Sequence, residues 1–181
     1  MRISTIEIVQ DKELPKNYAD LMNKWRKIEF GPDEVKDFKK DYFPSTKFFF
    51  VKDVGEIVAF GGLRDISINY LGKNYEILGI CNIVSIKKGK GFGQILISAM
   101  IDYLKKTGKT GLGFTLKAGF FRKVGLNVEK DFIKRFVYLN PITKEETIDN
   151  EGDGIYYDGK DGFIKKVLST NSIVYIKISH W

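Results

Sequence analysis

The stretch GICNIVSI-KKGKGFG-QILISAMIDYLKKTG, residues 79–108, decides the fold of this chain. Its first part is a nearly continuous apolar run, which is typical of a central strand that is covered on both faces. After a glycine-rich turn, apolar residues recur at helical spacing from Ile97 to Leu104, and Gly108 ends the pattern. The sequence here therefore predicts a buried strand, a glycine-rich turn and an amphipathic helix.

The turn between the strand and the helix has the composition of an anion-binding loop. Its glycines are Gly89, Gly91 and Gly93, and its lysines are Lys87, Lys88 and Lys90. Glycines let the backbone approach a ligand closely, and the N-terminus of a helix attracts negative charge. The lysines add positive charge at the same place. We expect the turn to hold a phosphate group, whereas a plain turn before a core helix is the alternative.

Three kinds of phosphate loop can be compared with this turn. A P-loop would end in Gly-Lys-Ser/Thr, but the turn ends in Gly93-Gln94. A dinucleotide fingerprint would need G-x-G-x-x-G and an acid about 20 residues later, and residues 108–116 contain no acid. The segment KGKGFG, Lys88–Gly93, resembles the R/Q-x-x-G-x-G/A pyrophosphate loop of the GNAT acyltransferases, with Lys in place of Arg or Gln.

Composition limits the remaining possibilities. A chain of 181 residues suits a single domain, residues 1–181, with a sizeable core. The net charge of +7 comes from basic residues spread along the chain, so we expect neither a nucleic-acid partner nor a membrane partner. One cysteine and one histidine, Cys81 and His180, predict no metal site, no intrachain disulfide and a reducing cytoplasmic location. No targeting segment or long apolar span is predicted.

The order of predicted elements is β-α-α-β-β-β-α-β-α-β-β, which gives an α/β (α+β) fold with a mixed, mostly antiparallel sheet flanked by helices. Among these elements are a second helix that begins after Asp33, a strand over residues 132–139 and a terminal strand over residues 167–178. The order resembles the GNAT fold over nearly the whole chain. In that family the loop joins the fourth strand to the third helix.

The resemblance implies an acetyl-CoA-dependent N-acetyltransferase that acts on a small amine by direct attack on the thioester. It implies that acetyl-CoA is held by Val84, Ile86, Lys88, Gly89, Lys90, Gly91, Phe92, Gly93 and Gln94. The family uses a carboxylate on the fourth strand as base, a Tyr as acid and a backbone N–H to polarise the thioester carbonyl.

Here the chain departs from the family pattern. The family's Tyr falls on Phe121, and the strand carboxylate falls on Asn82 in one alignment and on Glu76 in another. Glu76 as base would suit an enzyme that acetylates protein lysines or N-termini. Asn82 and Phe121, in place of the family's carboxylate and Tyr, would suit a CoA-binding protein with little catalysis. Cys81, on an apolar strand and without a His nearby in sequence, is expected to be a core residue.

A narrower resemblance concerns the aminoglycoside 2′-N-acetyltransferases. It rests on the strand at 78–86, the stretch TGLGFTLKAGFFRKVGL at 110–126, an acidic EGDG turn and a terminal Trp. It implies that Glu29 and Trp181 lie at the acceptor site. Glu151 and Asp153, in the acidic segment 145–161, are then expected to bind a cationic acceptor, with a solvated loop as the alternative. The sequence leaves a homodimer open.

Overall fold

A computed structural model describes residues 4–38 and 45–178, which fall into two compact units. The first comprises the described parts of Met1–Arg64 and Cys81–Met100, and the second those of Asp65–Ile80 and Ile101–Trp181. Two long strands and one helix of the chain contribute to both units. In the described ranges no helix is both long and apolar enough to cross a membrane. The assignment of residues 1–181 to a single domain stays a prediction.

The first unit contains a sheet in which the strand order is β1-β2-β3-β4. The elements are β1 Thr5–Gln10, α1 Lys16–Phe30, β2 Thr46–Asp53, β3 Glu56–Tyr70, β4 Lys73–Ser85 and α2 Phe92–Thr107, of which the last three continue into the second unit. Strand β2 pairs antiparallel with both β1 and β3. Val54 and Gly55, with φ of 52° and 81°, form the tight connection of β2 to β3, because a type I′ turn needs two positive φ angles.

The second unit contains the strand order β3-β4-β5-β9-β6 and a separate three-stranded sheet ordered β10-β7-β8. Its further elements are β5 Gly111–Thr115, α3 Ala118–Lys123, β6 Asn127–Glu129, β7 Phe136–Leu139, β8 Glu146–Ile148, β9 Asp153–Tyr157, α4 Phe163–Leu168 and β10 Val174–Ile176. Strand β5 is parallel to β4 and antiparallel to β9. The predicted mixed, mostly antiparallel fold with flanking helices is confirmed.

Three predicted elements differ from the observed ones. Residues 34–37, expected in a helix after Asp33, are not helical, and residues 39–44 lie outside the described part of the chain. The segment predicted as one strand over 132–139 begins with a 3-10 helix, Phe132–Arg135, and only then becomes β7. The terminal strand predicted over 167–178 is shorter, because Val167 and Leu168 end α4 and, of the described residues, only Val174–Ile176 forms a strand there.

The buried side chains of α4 explain why the chain is helical up to Leu168, including the first two residues of the predicted strand. Phe163, Ile164 and Val167 are all at most 1% exposed, and their i, i+1, i+4 spacing places them on one face of a helix. A strand would point Phe163 and Ile164 to opposite faces. The core of the second unit therefore selects the helix over the β-branched propensity of the local sequence.

The acidic segment 145–161 is not a continuous loop, because it contains β8 and β9. Its last acid, Asp161, accepts hydrogen bonds from the backbone N–H of Thr110 at 2.8 Å, from the Thr110 hydroxyl at 2.7 Å and from the backbone N–H of Phe163 at 2.9 Å. Thr110 is fully buried, and its hydroxyl also accepts the N–H of Gly159 at 3.1 Å. Asp161 thus fixes the start of α4 against the residue that precedes β5.

We expect Asp161→Ala to destabilise the protein by about 1–3 kcal/mol, because it leaves buried donors of Thr110 without an acceptor. Asp158→Ala is the matched control, since Asp158 is an exposed acid of the same segment and should change stability by less than about 0.5 kcal/mol. Urea unfolding followed by circular dichroism measures both. Equal stability of the two variants would contradict the role given to Asp161.

Candidate functional site

The glycine-rich turn places the first-turn backbone donors of α2 next to its glycines. The Gly91 carbonyl accepts the N–H of Ile95 at 3.1 Å, so Gly91 is the residue that caps the helix. The N–H groups of Phe92, Gly93 and Gln94 belong to the first turn, where a helix offers its donors no internal acceptor. Gly91 has φ of 80°, and a Cβ built on it would meet nothing within 4 Å. The backbone of the turn is therefore open to a ligand.

The start of the turn is anchored to β3. The N–H groups of Ile86 and Lys87 both donate to the carbonyl of Val58, at 2.9 and 3.4 Å. The Ile86 amide is thus used within the sheet, and the Val84 side chain is 2% exposed. After the anchor, Gly89, Lys90 and Gly91 are exposed, as is Gln94, whereas Phe92 and Gly93 are buried. The predicted cofactor residues therefore divide into an exposed turn and a buried frame.

Two lysines of the turn are paired with carboxylates in the first unit. Lys87 Nζ lies 2.9 Å from a carboxylate oxygen of Glu56, and both side chains are largely exposed. Lys88 Nζ lies 2.7 Å from Oε1 of Glu29, whose side chain is only 14% exposed. The sequence predicted that Lys88 binds the cofactor and that Glu29 binds the acceptor. The structure brings these two residues together.

A buried guanidinium, that of Arg26 on α1, is the main polar centre of this unit. Its side chain is 6% exposed and donates to the Glu34 carbonyl at 3.1 Å and to the Glu34 carboxylate at 2.7 Å. A third bond runs from Arg26 Nη1 to Oδ1 of Asn82 on β4, and the guanidinium also lies 5.2 Å from the centre of the Phe30 ring. Such pairing offsets the cost of burying a charge.

Asn82 interrupts β4 with a left-handed backbone. Its φ is 55°, and its side chain is held by Arg26. Asparagine is among the few residues with a side chain that adopt this conformation at low cost. The sequence comparison placed Asn82 where the family carries a catalytic carboxylate. In this structure the Asn82 side chain is an acceptor for Arg26, and an amide cannot act as a base.

Cys81, next to Asn82, is a core residue that is 3% exposed. Burial raises the pKa of its thiol to about 12, and this outweighs the opposing effects of a hydrogen bond with Asn82 and of the charges on Arg64 and Arg26. The thiol is therefore neutral near pH 7. A neutral, buried thiol is a poor nucleophile, which argues against an acyl-cysteine intermediate.

The other predicted site residues lie in the second unit or outside the described residues. Glu76 is exposed on β4 and accepts a hydrogen bond from the Ser67 hydroxyl at 2.8 Å. Phe121, on α3, is 7% exposed and packs edge-on to Phe120. Glu151 is exposed, whereas Asp153 is partly buried on β9 and accepts the N–H of Asp131 at 3.0 Å. Trp181 lies outside the described residues.

Arg26 is the buried charged residue near the candidate site that sequence reasoning missed. On α1, the apolar Ile28 is 59% exposed, whereas Met22 and the charged Arg26 are buried. The signal was the spacing, because Arg26 follows Met22 by four residues and shares its face of the helix. A charged residue on the buried face of a helix indicates a partner elsewhere in the fold.

No protein-family model and no curated protein sequence matches this chain. Solved structures do. The GNAT family N-acetyltransferase YhbS of Escherichia coli, in complex with CoA, is similar over 97% of this chain and 91% of its own, with a TM-score of 0.62 and 13% identity. ElaA of Escherichia coli is similar over 85% of this chain and 99% of its own, with a TM-score of 0.57 and 13% identity.

A further similar structure is the N-acetyltransferase PseH of Campylobacter jejuni, in complex with acetyl coenzyme A. It matches over 84% of this chain and 98% of its own, with a TM-score of 0.52 and 18% identity. The chain therefore has the GNAT fold, as the element order predicted. At these identities the likeness establishes the fold alone.

The left-handed conformation of Asn82 makes a prediction about stability. Both Asn82→Gly and Asn82→Ala remove the acceptor of Arg26, so their difference reports on the backbone alone. We expect Asn82→Gly to be the more stable by about 1 kcal/mol, because an L side chain is strained at positive φ. Chemical denaturation measures the difference.

The matched control is Ser85, in the same strand but without a positive φ. There the order should reverse, and Ser85→Ala should be more stable than Ser85→Gly by about 0.5–1 kcal/mol. If the alanine variant is more stable than the glycine variant at position 82 as well as at position 85, a left-handed Asn82 is contradicted.

The raised pKa of Cys81 predicts that the folded protein resists thiol modification. We expect no labelling by iodoacetamide at pH 8, where a free thiol of pKa about 8.5 would react. In 6 M guanidinium chloride, used as the control, labelling should be complete, and mass spectrometry measures both. Rapid labelling of the folded protein would contradict the burial of Cys81.

Proposed function

We propose that this protein is an acetyl-CoA-dependent N-acetyltransferase whose acceptor is a small cationic amine. The observation that carries the proposal is the open turn at Gly91, with the first-turn donors of α2 behind it. The similar structures of YhbS and PseH were solved with CoA and with acetyl coenzyme A. A pyrophosphate is an anion that suits such donors.

The residues of the turn fit CoA in shape and in charge. Gly89 and Gly91 leave space on their outer side, so a phosphate can approach the backbone without meeting a side chain. Lys90 is exposed beside them, and Lys87 and Lys88 are exposed within the same turn. We infer that the N–H groups of Phe92, Gly93 and Gln94 hold the pyrophosphate, and that the lysines neutralise its charge. Val84, in β4, and Ile86, directly after that strand, would flank the cofactor.

Acetyl-CoA would supply an acetyl thioester that an amine can attack directly. The neutral thiol of Cys81 favours this direct route over an acyl-enzyme. An alkyl ammonium has a pKa near 10.4 and must lose a proton before it attacks. Glu76 is the candidate base in the second unit, because it is an exposed carboxylate on β4. Asn82 and Phe121 cannot transfer protons, so the thiolate would leave without a donor from either side chain.

The acceptor is proposed to be cationic because its candidate contacts are carboxylates. Glu29, Glu151 and Asp153 are the candidate contacts in the described residues, and the resemblance to the aminoglycoside enzymes adds Trp181. A carboxylate about 4 Å from an ammonium gains about 4 kcal/mol at an effective dielectric of 20, before desolvation offsets part of it. Aminoglycosides and polyamines are the acceptor classes that such contacts would favour.

Two alternatives remain within the same fold. Glu76 as base would also suit acetylation of protein lysines or N-termini. The loss of proton-transfer groups at Asn82 and Phe121 would suit a CoA-binding protein with little catalysis. Thiol release from acetyl-CoA, measured with a panel of polyamines, aminoglycosides and lysine peptides, distinguishes the three. Release with small amines only would support the proposal.

The cofactor assignment predicts that Gly91→Val abolishes CoA binding, because a β-branched side chain would occupy the approach to the turn. Gly55→Val is the matched control. Gly55 has φ of 81°, close to the 80° of Gly91, and equally open space around it, but it lies in the turn between β2 and β3. Both variants carry similar backbone strain, so only a ligand at the turn would separate them. Calorimetry with CoA measures binding, and equal affinities in the two folded variants would contradict the assignment.

A further inference from the structure

The ion pair between Lys88 and Glu29 joins an exposed cation to a nearly buried anion. The Lys88 side chain is 69% exposed, whereas that of Glu29 is 14% exposed, and the charged atoms lie 2.7 Å apart. Glu29 Oε1 is buried, and its contact with Lys88 lacks the alignment of a good hydrogen bond. The bond is therefore mainly electrostatic, and an anion of greater charge can compete for the lysine.

The bound cofactor would be such a competitor. Lys88 lies in the same turn as Phe92, Gly93 and Gln94, whose amides are proposed to hold the pyrophosphate. A lysine has one positive charge and a flexible stem, so turning toward the pyrophosphate takes it from Glu29. The carboxylate then stays largely buried without its cation, which is an unfavourable state. Binding of another cation at Glu29 would relieve it.

We propose that Lys88 is a counter-ion shared in turn by Glu29 and by the cofactor's pyrophosphate, so that cofactor binding uncovers Glu29 for the ammonium group of the acceptor. This inference rests on the proposed function and adds a coupling between its two ligands and a selectivity for cations. Each ligand strengthens the binding of the other, because linkage between two sites is reciprocal. Neutral acceptors gain nothing from the exchange.

The neighbouring ion pair of Lys87 and Glu56 does not contain a buried carboxylate. Its side chains are 46% and 73% exposed, so water solvates Glu56 when the lysine leaves. Exposed ion pairs of this kind contribute little energy. Glu56→Gln therefore removes one negative charge near the same turn without uncovering a buried carboxylate. It is the matched control for Glu29→Gln.

The first experiment is a double-mutant cycle on CoA affinity. Glu29→Gln should raise the affinity about fivefold, because Lys88 no longer has to leave a partner. In a Lys88→Gln background the same substitution should have no effect, and Glu56→Gln should match the wild type within about twofold. If Glu29→Gln lowers the affinity, or acts equally in both backgrounds, the exchange is wrong. Absence of CoA binding to the wild type would instead refute the proposed function.

The second experiment uses spermidine as a cationic probe, titrated into the protein with and without saturating CoA. Heats from titration into CoA alone are subtracted. We expect CoA to tighten spermidine binding to the wild type about fivefold and to leave Glu29→Gln unchanged. Equal affinity with and without CoA, or no binding to the CoA-loaded wild type, would overturn the inference. The proposed function would survive either result if thiol release with another amine is seen.

Discussion

The first unit depends on the buried guanidinium of Arg26. A cation in that position would be costly without partners, and Arg26 has them in the segment after α1 and in β4. Its bonds therefore tie the end of α1 and Glu34 to the strand that leads into the glycine-rich turn. Asn82, the partner of Arg26 in β4, has a left-handed backbone. Removing Glu34 or Asn82 would leave the buried charge of Arg26 less well compensated. The stability of this part of the fold therefore depends on all three residues together.

Many charged side chains of this protein have partners, which the net charge alone does not show. The net charge is +7, yet two lysines of the turn are paired with carboxylates, and acids of the 145–161 segment accept backbone hydrogen bonds. Asp161 in particular serves the local structure of the second unit. Under the two proposals the turn would offer an anion its backbone donors directly, whereas it would offer the charge of Lys88 only in exchange with Glu29. This distinction underlies both the proposed cofactor site and its coupling to the acceptor.

Under the proposed function, binding and orientation would supply most of the rate enhancement. Asn82 and Phe121 carry no group that transfers protons, and the thiol of Cys81 is kept neutral by burial. Placing an amine beside a thioester can by itself lower the barrier by several kcal/mol, because it replaces an encounter between two molecules. A thiolate is also a good leaving group that needs little help from an acid. Modest catalysis without a donor is consistent with this chemistry.

Local sequence patterns were enough to predict the strand, turn and helix of residues 79–108, the mixed sheet and the GNAT-like order of elements. Hydrophobic periodicity and glycine positions are local properties, so they can be read from neighbouring residues. The sequence could not determine that residues 163–168 form a helix, since the side chains that bury Phe163 come from distant parts of the chain. It also missed Arg26, whose partners Glu34 and Asn82 stand 8 and 56 residues away. The pairing of Lys88 with Glu29 was likewise decided by tertiary structure, because electrostatic contacts depend on distance in space, which no local pattern records.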